Sequence, residues 1–239
     1  MPKIPVKDVL SLLYDLQDQR EAQQEEVDSA GLDPQLAMLR DWQSKRLQRT
    51  YADLLADQKY RPACEFFLSD IYAARDFSQR DYDAERLHKI LSRYLPESTL
   101  YLLADAIRMN QLSDKLDRRL LKALVEKLGV TETITEELYA EGYRLCNNYK
   151  ERVYQIDLLA RILWDVGKFA RNPLVGPAAR LARGPAQRAG WVEVYDFLER
   201  GYAALRHMRN IKSFVETIEK RETLILERIF ANHPTPFAL

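Results

Sequence analysis

The sequence predicts an all-α fold, an irregular multi-helix bundle of about eight to ten helices. Glycine and proline are scarce, with 8 and 10 among 239 residues, and most other residues cost little side-chain freedom in a helix. Apolar residues recur at intervals of three and four, and no stretch alternates like a strand for more than five residues. Many helices joined by short turns predict a single helical domain over residues 1–239.

Composition and charge exclude several classes of protein. Hydrophobic residues make up 46% and charged residues 30%, a globular rather than a disordered profile. The 36 basic residues equal the 36 acidic ones, which argues against a dedicated nucleic-acid-binding protein. We expect no signal peptide and no membrane span, since no segment approaches about 18 uncharged apolar residues. Cys64 and Cys146 are interpreted as small core residues in a reducing compartment, so a cytoplasmic location is expected.

The first two helices are predicted from apolar stripes. One runs from about Val6 into the acidic stretch Glu21–Asp28. Asp33 followed by Pro34 supplies an N-cap and a first-turn proline, so a second helix begins there and ends before Pro62. Its stripe consists of Leu36, Leu39, Leu47, Tyr51 and Leu54.

Seven further helices are predicted from caps, glycines and prolines. Ser113 is interpreted as the N-cap of one of them and Gly129 as its end, and Thr131 or Thr133 opens the next. The predicted ranges are 62 to 73–76, 79–94, 97–110, 113–129, 131 or 133 to 171 with a break at 147–148, 191–205 and 211–229.

The segment 168–190, called the basic segment below, differs in composition from the rest of the chain. It contains three prolines, three glycines and no acidic residue, so we predict a linker, a short broken helix pair or a binding loop. It is interpreted as solvated, as paired with the acidic stretch Asp15–Asp28, as a site for a protein partner or a second copy of the chain, or as a peripheral contact with an anionic membrane. Nucleic acid is not expected. Its basic residues are Lys168, Arg171, Arg180, Arg183 and Arg188.

The run Phe66–Tyr72 and the charged turn that follows it are the most specific feature of the chain. The run is apolar around most of a helix, which predicts a central, largely buried position. Arginine and carboxylate side chains in the turn can form bidentate hydrogen-bonded pairs. Such pairs would either hold the turn in place or form a recognition site. The members of this charged cluster are Asp70, Tyr72, Arg75, Asp76, Arg80, Asp81, Asp83 and Arg86.

Catalytic and metal-binding patterns are weak. Glu85 and His88 have the spacing of half a di-iron site, but neither His207 nor His233 has a glutamate three residues earlier. A lone histidine is also weak evidence for haem. No phosphate loop, dinucleotide fingerprint or nucleophile elbow occurs. We therefore predict no cofactor, no metal and no catalytic residue.

The run at Phe66–Tyr72 resembles the motif of the bacterial FFLEELY-motif proteins, an uncharacterised helical family. Ser69 departs from the acidic residue expected there. Residues 42–47, 50–54 and 75–83 are similar to the same family, so the resemblance covers most of the chain. The resemblance implies a helical fold and no established activity. The residues that carry it are Phe66, Phe67, Leu68 and Tyr72, with Asp70 and Ile71 as close variants.

Three functions are compatible with these patterns. The first is a non-enzymatic adaptor or regulatory protein that binds through the turn 70–83 and the basic segment. The second is a bundle that holds a small apolar ligand, such as a lipid or cofactor, and it requires a cavity of roughly a few hundred cubic ångströms. The third is a carboxylate-based enzyme, and it requires a cleft where Asp70, Asp76 and Asp81 converge.

Overall fold

The structure, a computed structural model, describes residues 33–72, 97–173, 176–177, 183–184, 192–206, 208 and 210–239. These residues form eight α-helices and two π-helical segments, and they contain no strand. The all-α prediction is therefore confirmed. The predicted first helix and the predicted helix 79–94 lie outside the described residues. None of the described helices combines the length and apolar character that crossing a membrane requires.

The helices are numbered here in chain order. The α-helices are α1 (Asp33–Thr50), α2 (Ala52–Ala56), α3 (Arg61–Phe66), α4 (Glu97–Lys122), α5 (Glu136–Cys146), α6 (Tyr149–Arg171), α7 (Val192–Leu205) and α8 (Ile211–Phe230). The π-helical segments are Phe67–Tyr72, which continues α3, and Ala123–Lys127, which continues α4.

Helix α6 lies at the centre of the bundle and packs against α4, α7 and α8. Two apolar clusters fill the interior. The first contains the C-terminal part of α6 with Tyr51, Phe67 and Phe214, and the second contains Leu39 and Tyr139. The predicted stripe of the second helix is confirmed, because all five of its residues are buried. Burial of one face of each helix is the main source of stability in such a fold.

The predicted boundary at residues 110–113 is wrong. Helix α4 runs without interruption from Glu97 to Lys122, and Ser113 lies inside it. The cap signal of a serine is local, whereas Leu116 and Leu120 on the following turns are buried and favour a continuous helix. Gly129 does lie just beyond the helical stretch, with a φ of +65° that favours glycine.

Two residues with specific backbone roles, an N-cap and a left-handed asparagine, define the connection from α4 to α6. The N-cap of α5 is Thr135 rather than the predicted Thr131 or Thr133, and its hydroxyl accepts a hydrogen bond from the Leu138 amide at 3.3 Å. The predicted break after α5 is confirmed, since Asn147 adopts a left-handed conformation with a φ of 48°. This break turns the chain from α5 into the central helix.

Candidate functional site

The predicted motif spans the end of α3 and the first π-helical segment, and its phenylalanines are buried. Phe67 is fully enclosed, and its ring lies edge-on to that of Tyr51 with the centroids 5.8 Å apart. Phe66 packs so closely on α7 that a Cβ added at Gly201 would lie 2.8 Å from its ring. Ser69 is exposed. The predicted burial of this segment is therefore confirmed at both phenylalanines.

The charged cluster is only partly within the described residues. Asp70 and Tyr72 lie in the π-helical segment. A π-helix closes i→i+5 hydrogen bonds, so the side chains of this segment are spaced around the helix differently from those of an α-helix. Both interpretations of the cluster stay predictions. The members outside the described residues are Arg75, Asp76, Arg80, Asp81, Asp83 and Arg86, together with Glu85, His88 and His207 from the weaker metal and haem hypotheses.

The basic segment begins inside a helix rather than in a loop. Lys168 and Arg171 lie in the last turn of α6, where cations favour the helix dipole. The Lys168 side chain is 62% exposed, lies 5.2 Å from the centre of the Trp164 ring, and is 3.9 Å from the Asp165 carboxylate. The Arg171 guanidinium donates to the Met208 carbonyl at 3.2 Å, so this arginine joins α6 to the chain before α8.

Arg183 is also exposed. Arg180 and Arg188, the remaining basic residues of the segment, lie outside the described residues. The structure therefore gives Arg171 a structural contact, and it leaves the charged ends of Lys168 and Arg183 accessible to solvent.

A group of polar residues in the interior, some fully and some partly buried, was not predicted from the sequence. Along α1 and α8, these residues separate the first apolar cluster from the second. The Arg46 side chain is only 4% exposed and donates to Glu222 Oε1 at 2.6 Å. The Tyr51 hydroxyl donates to the same oxygen at 2.8 Å. The group consists of Gln43, Arg46, Asp117, Arg152 and Glu222, and it is called the polar layer below.

Within the polar layer, Arg152 of α6 contacts residues of α4, α5 and its own helix. Its guanidinium lies 4.4 Å from the centre of the Tyr143 ring and donates to Gln155 Oε1 at 2.9 Å and to the Leu116 carbonyl at 3.3 Å. The Asp117 carboxylate is 4.0 Å away. Burial raises the pKa of Asp117, although Arg152 and the hydrogen bond from Gln43 oppose this shift.

Hydrogen bonds connect the polar layer to two buried tyrosines. The Gln43 amide donates to Asp117 Oδ1 at 2.9 Å and to the Tyr139 hydroxyl at 3.4 Å. The Tyr139 hydroxyl in turn donates to the Tyr143 hydroxyl at 3.1 Å. These bonds satisfy groups that would otherwise destabilise the interior.

A small cavity opens within the polar layer. Arg46, Arg152 and Glu222 line it together with Tyr139 and Tyr143, and most of the remaining wall is apolar. Its volume of about 40 Å³ leaves room for a few water molecules or one small polar group. This cavity is far below the size that a lipid or an organic cofactor requires, so it does not support the hypothesis of a large apolar ligand.

The cysteines are poor nucleophiles. Both are free thiols, and Cys64 is fully buried, as the sequence analysis predicts. Burial raises the pKa of Cys64 to about 12, and burial also raises the pKa of Cys146. Reactive thiols require a lowered pKa, so neither side chain is activated for attack. Within the described ranges, His, Cys, Asp and Glu side chains form no group of three that could hold a metal ion.

A signal for the polar layer is present in the sequence. Gln43 and Arg46 continue the apolar stripe of α1, and Glu222 continues that of α8 between Ile218 and Ile225. A charged residue at a position where the helical period places an apolar one indicates a buried, paired charge. The sequence does not show which residue pairs with Arg46, because its partner Glu222 lies 176 residues further along the chain.

Comparison with known proteins identifies a family. A family model described as a domain of unknown function (DUF8198) matches residues 21–236. The match covers most of the chain, including the motif, the polar layer and the basic segment. No curated protein and no solved structure matches the chain.

Proposed function

The chain belongs to the DUF8198 family, a domain of unknown function, and we propose that it is a cytoplasmic, non-enzymatic binding protein of the adaptor or regulatory type. The observation that carries the proposal is the exposed cationic end of the central helix, where Lys168 lies beside Trp164. Tryptophan and arginine are enriched in protein interfaces, and this part of the chain offers the partly buried Trp164 and the arginines of the basic segment. Cys64 is not a candidate nucleophile, because burial raises the pKa of its thiol to about 12.

The partner that fits the basic segment is an acidic protein surface. The segment has five basic residues and no acidic one, so its charge complements carboxylates. Lys168 and Arg183 are exposed and supply charge for such contacts. Arg171 contributes less, because its guanidinium is occupied by the Met208 carbonyl.

An anionic membrane is a weaker fit than a protein. Membrane-surface helices insert a free apolar face between lipids. In α6 the apolar face is already used inside the bundle, since Leu159, Leu163 and Val166 are buried. The acidic stretch Asp15–Asp28 of the same chain or a second copy is the remaining competitor for the basic segment.

The turn 70–83 is proposed as a second recognition surface. Ser69 is exposed at its start, while the preceding Phe67 is fully buried. The backbone of Asp70 and Tyr72 continues directly from the buried end of α3, which reduces the conformational freedom that these two residues lose on binding. The proposed recognition residues are Asp70, Tyr72, Asp76, Arg80 and Asp81.

Co-purification from the native cell tests the proposal. The wild type is compared with the Lys168→Glu/Arg183→Glu double variant and with Lys45→Glu as a control. Lys45 is 66% exposed and pairs with Asp41 one turn away, so it matches Lys168 in exposure and pairing. We expect an acidic protein to be retained by the wild type and the control and lost from the double variant.

Three other results would contradict this assignment. Retention of the same proteins by all three forms would show that the basic segment does not bind the partner. Flotation with anionic vesicles, lost in the double variant, would replace the protein by a membrane. A change of oligomeric state alone would indicate a second copy. Thermal unfolding checks that the double variant is folded, since exposed charge changes cost about 1 kcal/mol or less.

A further inference from the structure

A second stretch of the chain, residues 200–215, is also basic and contains no aspartate or glutamate. It is called the second basic stretch below. It includes the end of α7, the connection to α8 and the first residues of α8. Its basic residues, apart from His207, are Arg200, Arg206, Arg209 and Lys212. Arg209 lies outside the described residues, so the structure places the other three.

Two contacts hold the second basic stretch against the start of the basic segment. The Arg171 guanidinium donates to the Met208 carbonyl at 3.2 Å. A Cβ added at Gly176 would lie 2.8 Å from the Tyr202 hydroxyl, so the backbone after α6 passes directly beside α7. Two stretches with basic and no acidic residues therefore meet at one place on the surface. Charges of one sign brought together create a potential that attracts a partner of the opposite sign.

Arg206 is the cation of this surface with the most available hydrogen-bonding groups. Its side chain is exposed and lies 5.8 Å from the centre of the Tyr202 ring. No carboxylate in the described part of the chain forms an ion pair with it. Lys168 and Lys212, by contrast, each lie near a carboxylate of their own helix, at 3.9 and 3.7 Å. An attraction to a ring uses no N–H donor, so the guanidinium keeps its donors for a ligand.

The chemistry of arginine indicates what such a ligand is. A guanidinium presents parallel N–H groups that match the two oxygens of a carboxylate, whereas a lysine ammonium acts as a point charge. We propose that Arg206 is a specificity-determining residue that binds a carboxylate side chain of an acidic peptide segment through two hydrogen bonds. Lys168 and Arg183 add charge to the same contact. This inference rests on the proposed function, and it extends the binding surface from the basic segment onto the end of α7.

Fluorescence anisotropy at pH 7 and low ionic strength tests the proposal. The probe is a fluorescein-labelled hexaglutamate peptide. Labelled hexaglutamine has the same length without the carboxylates, and a labelled thymidine hexanucleotide presents phosphates instead. We expect the wild type to bind hexaglutamate more tightly than either of the other two, and added salt to weaken this binding.

Arginine-to-lysine variants identify the anchor, because they keep the charge and remove the paired N–H groups. Arg206→Lys should bind hexaglutamate about tenfold more weakly than the wild type. Arg49→Lys is the control, since Arg49 is 61% exposed on α1 and should not affect binding. Lys168→Arg should bind at least as tightly as the wild type. Arg206 is exposed, so thermal unfolding should show an unchanged Tm for Arg206→Lys.

The outcomes separate this inference from the proposed function. If Lys168→Glu/Arg183→Glu loses hexaglutamate binding while Arg206→Lys binds like the wild type, the inference is overturned and the basic segment remains the site. Equal weakening by Arg206→Lys and Arg49→Lys would also overturn it. Tighter binding of the hexanucleotide than of hexaglutamate would replace the acidic peptide by a nucleic acid. If the wild type binds hexaglutamate no better than hexaglutamine, the proposed function fails together with the inference.

Discussion

Replacing Glu222 by leucine should destabilise the protein strongly. The substitution removes the carboxylate to which Arg46 and Tyr51 both donate, at 2.6 and 2.8 Å, where the Glu222 side chain is 13% exposed and the Arg46 side chain 4%. Breaking a buried ion pair on one side costs about 3–5 kcal/mol, because the remaining charge stays buried. For a chain of this length, such a loss lowers Tm by about 6–20 °C.

The neighbouring residue on α8 provides the control. Arg221 forms a bidentate ion pair with the Asp53 carboxylate, and both N–O distances are 2.7 Å. The Asp53 side chain, however, is 59% exposed. The hydrogen bond from Arg221 holds the pKa of Asp53 below its usual value, yet water screens the pair. Asp53→Ala should therefore cost about 1 kcal/mol or less.

A double variant separates lost attraction from buried charge. Arg46→Met combined with Glu222→Leu removes both charges, and its free energy of unfolding should return to within about 2 kcal/mol of the wild type. Urea unfolding followed by circular dichroism measures all four proteins. The reasoning is refuted if Glu222→Leu costs no more than Asp53→Ala, or if the double variant is as unstable as the single one.

Three further predictions concern the first apolar cluster. Phe67→Ala should cost about 3–5 kcal/mol because Phe67 is fully buried, while Ser69→Ala should change stability by less than about 0.5 kcal/mol; equal costs in urea unfolding would contradict the burial of the motif. Gly167→Ala would place a Cβ 1.6 Å from Ile211 Cδ1, so it should cost about 1–3 kcal/mol, and Ile211→Val should recover part of this loss in thermal unfolding. Simple additivity of the two would contradict this contact. Burial raises the pKa of Cys64 to about 12, whereas the ordinary pKa of a cysteine thiol, 9.0, applies in the unfolded state. Between these two pH values only the unfolded state releases the proton, so the free energy of unfolding should fall as the pH rises. Cys64→Ala should remove this part of the fall, and unchanged pH curves would be inconsistent with it.

The fold was largely predictable because helix periodicity records burial. The stripes of α1 and α8 are apolar at the spacing that one buried face requires, and both are buried. Asn147 and Gly129 marked real ends, because left-handed backbone selects few residue types. Ser113 was misleading, since a serine signals a cap locally, whereas the packing of α4 decides the helix length.

The candidate sites were less predictable, for two physical reasons. The polar layer depends on partners far apart in the chain, such as Gln43 with Asp117, which lie 74 residues apart. The basic segment was identified by composition. Composition does not distinguish a basic side chain that makes a structural contact from one that is exposed to solvent. Arg171 contacts the Met208 carbonyl, whereas the neighbouring Lys168 is exposed to solvent.

Site-specific photocrosslinking in the native cell is the most direct test of function. A photoreactive amino acid is placed at position 168, in the exposed last turn of α6, and in a separate protein at position 45. We predict that an acidic protein crosslinks at position 168 and not at position 45, and that added salt reduces the yield. Identical crosslinks at both positions, or none at position 168, would contradict the account.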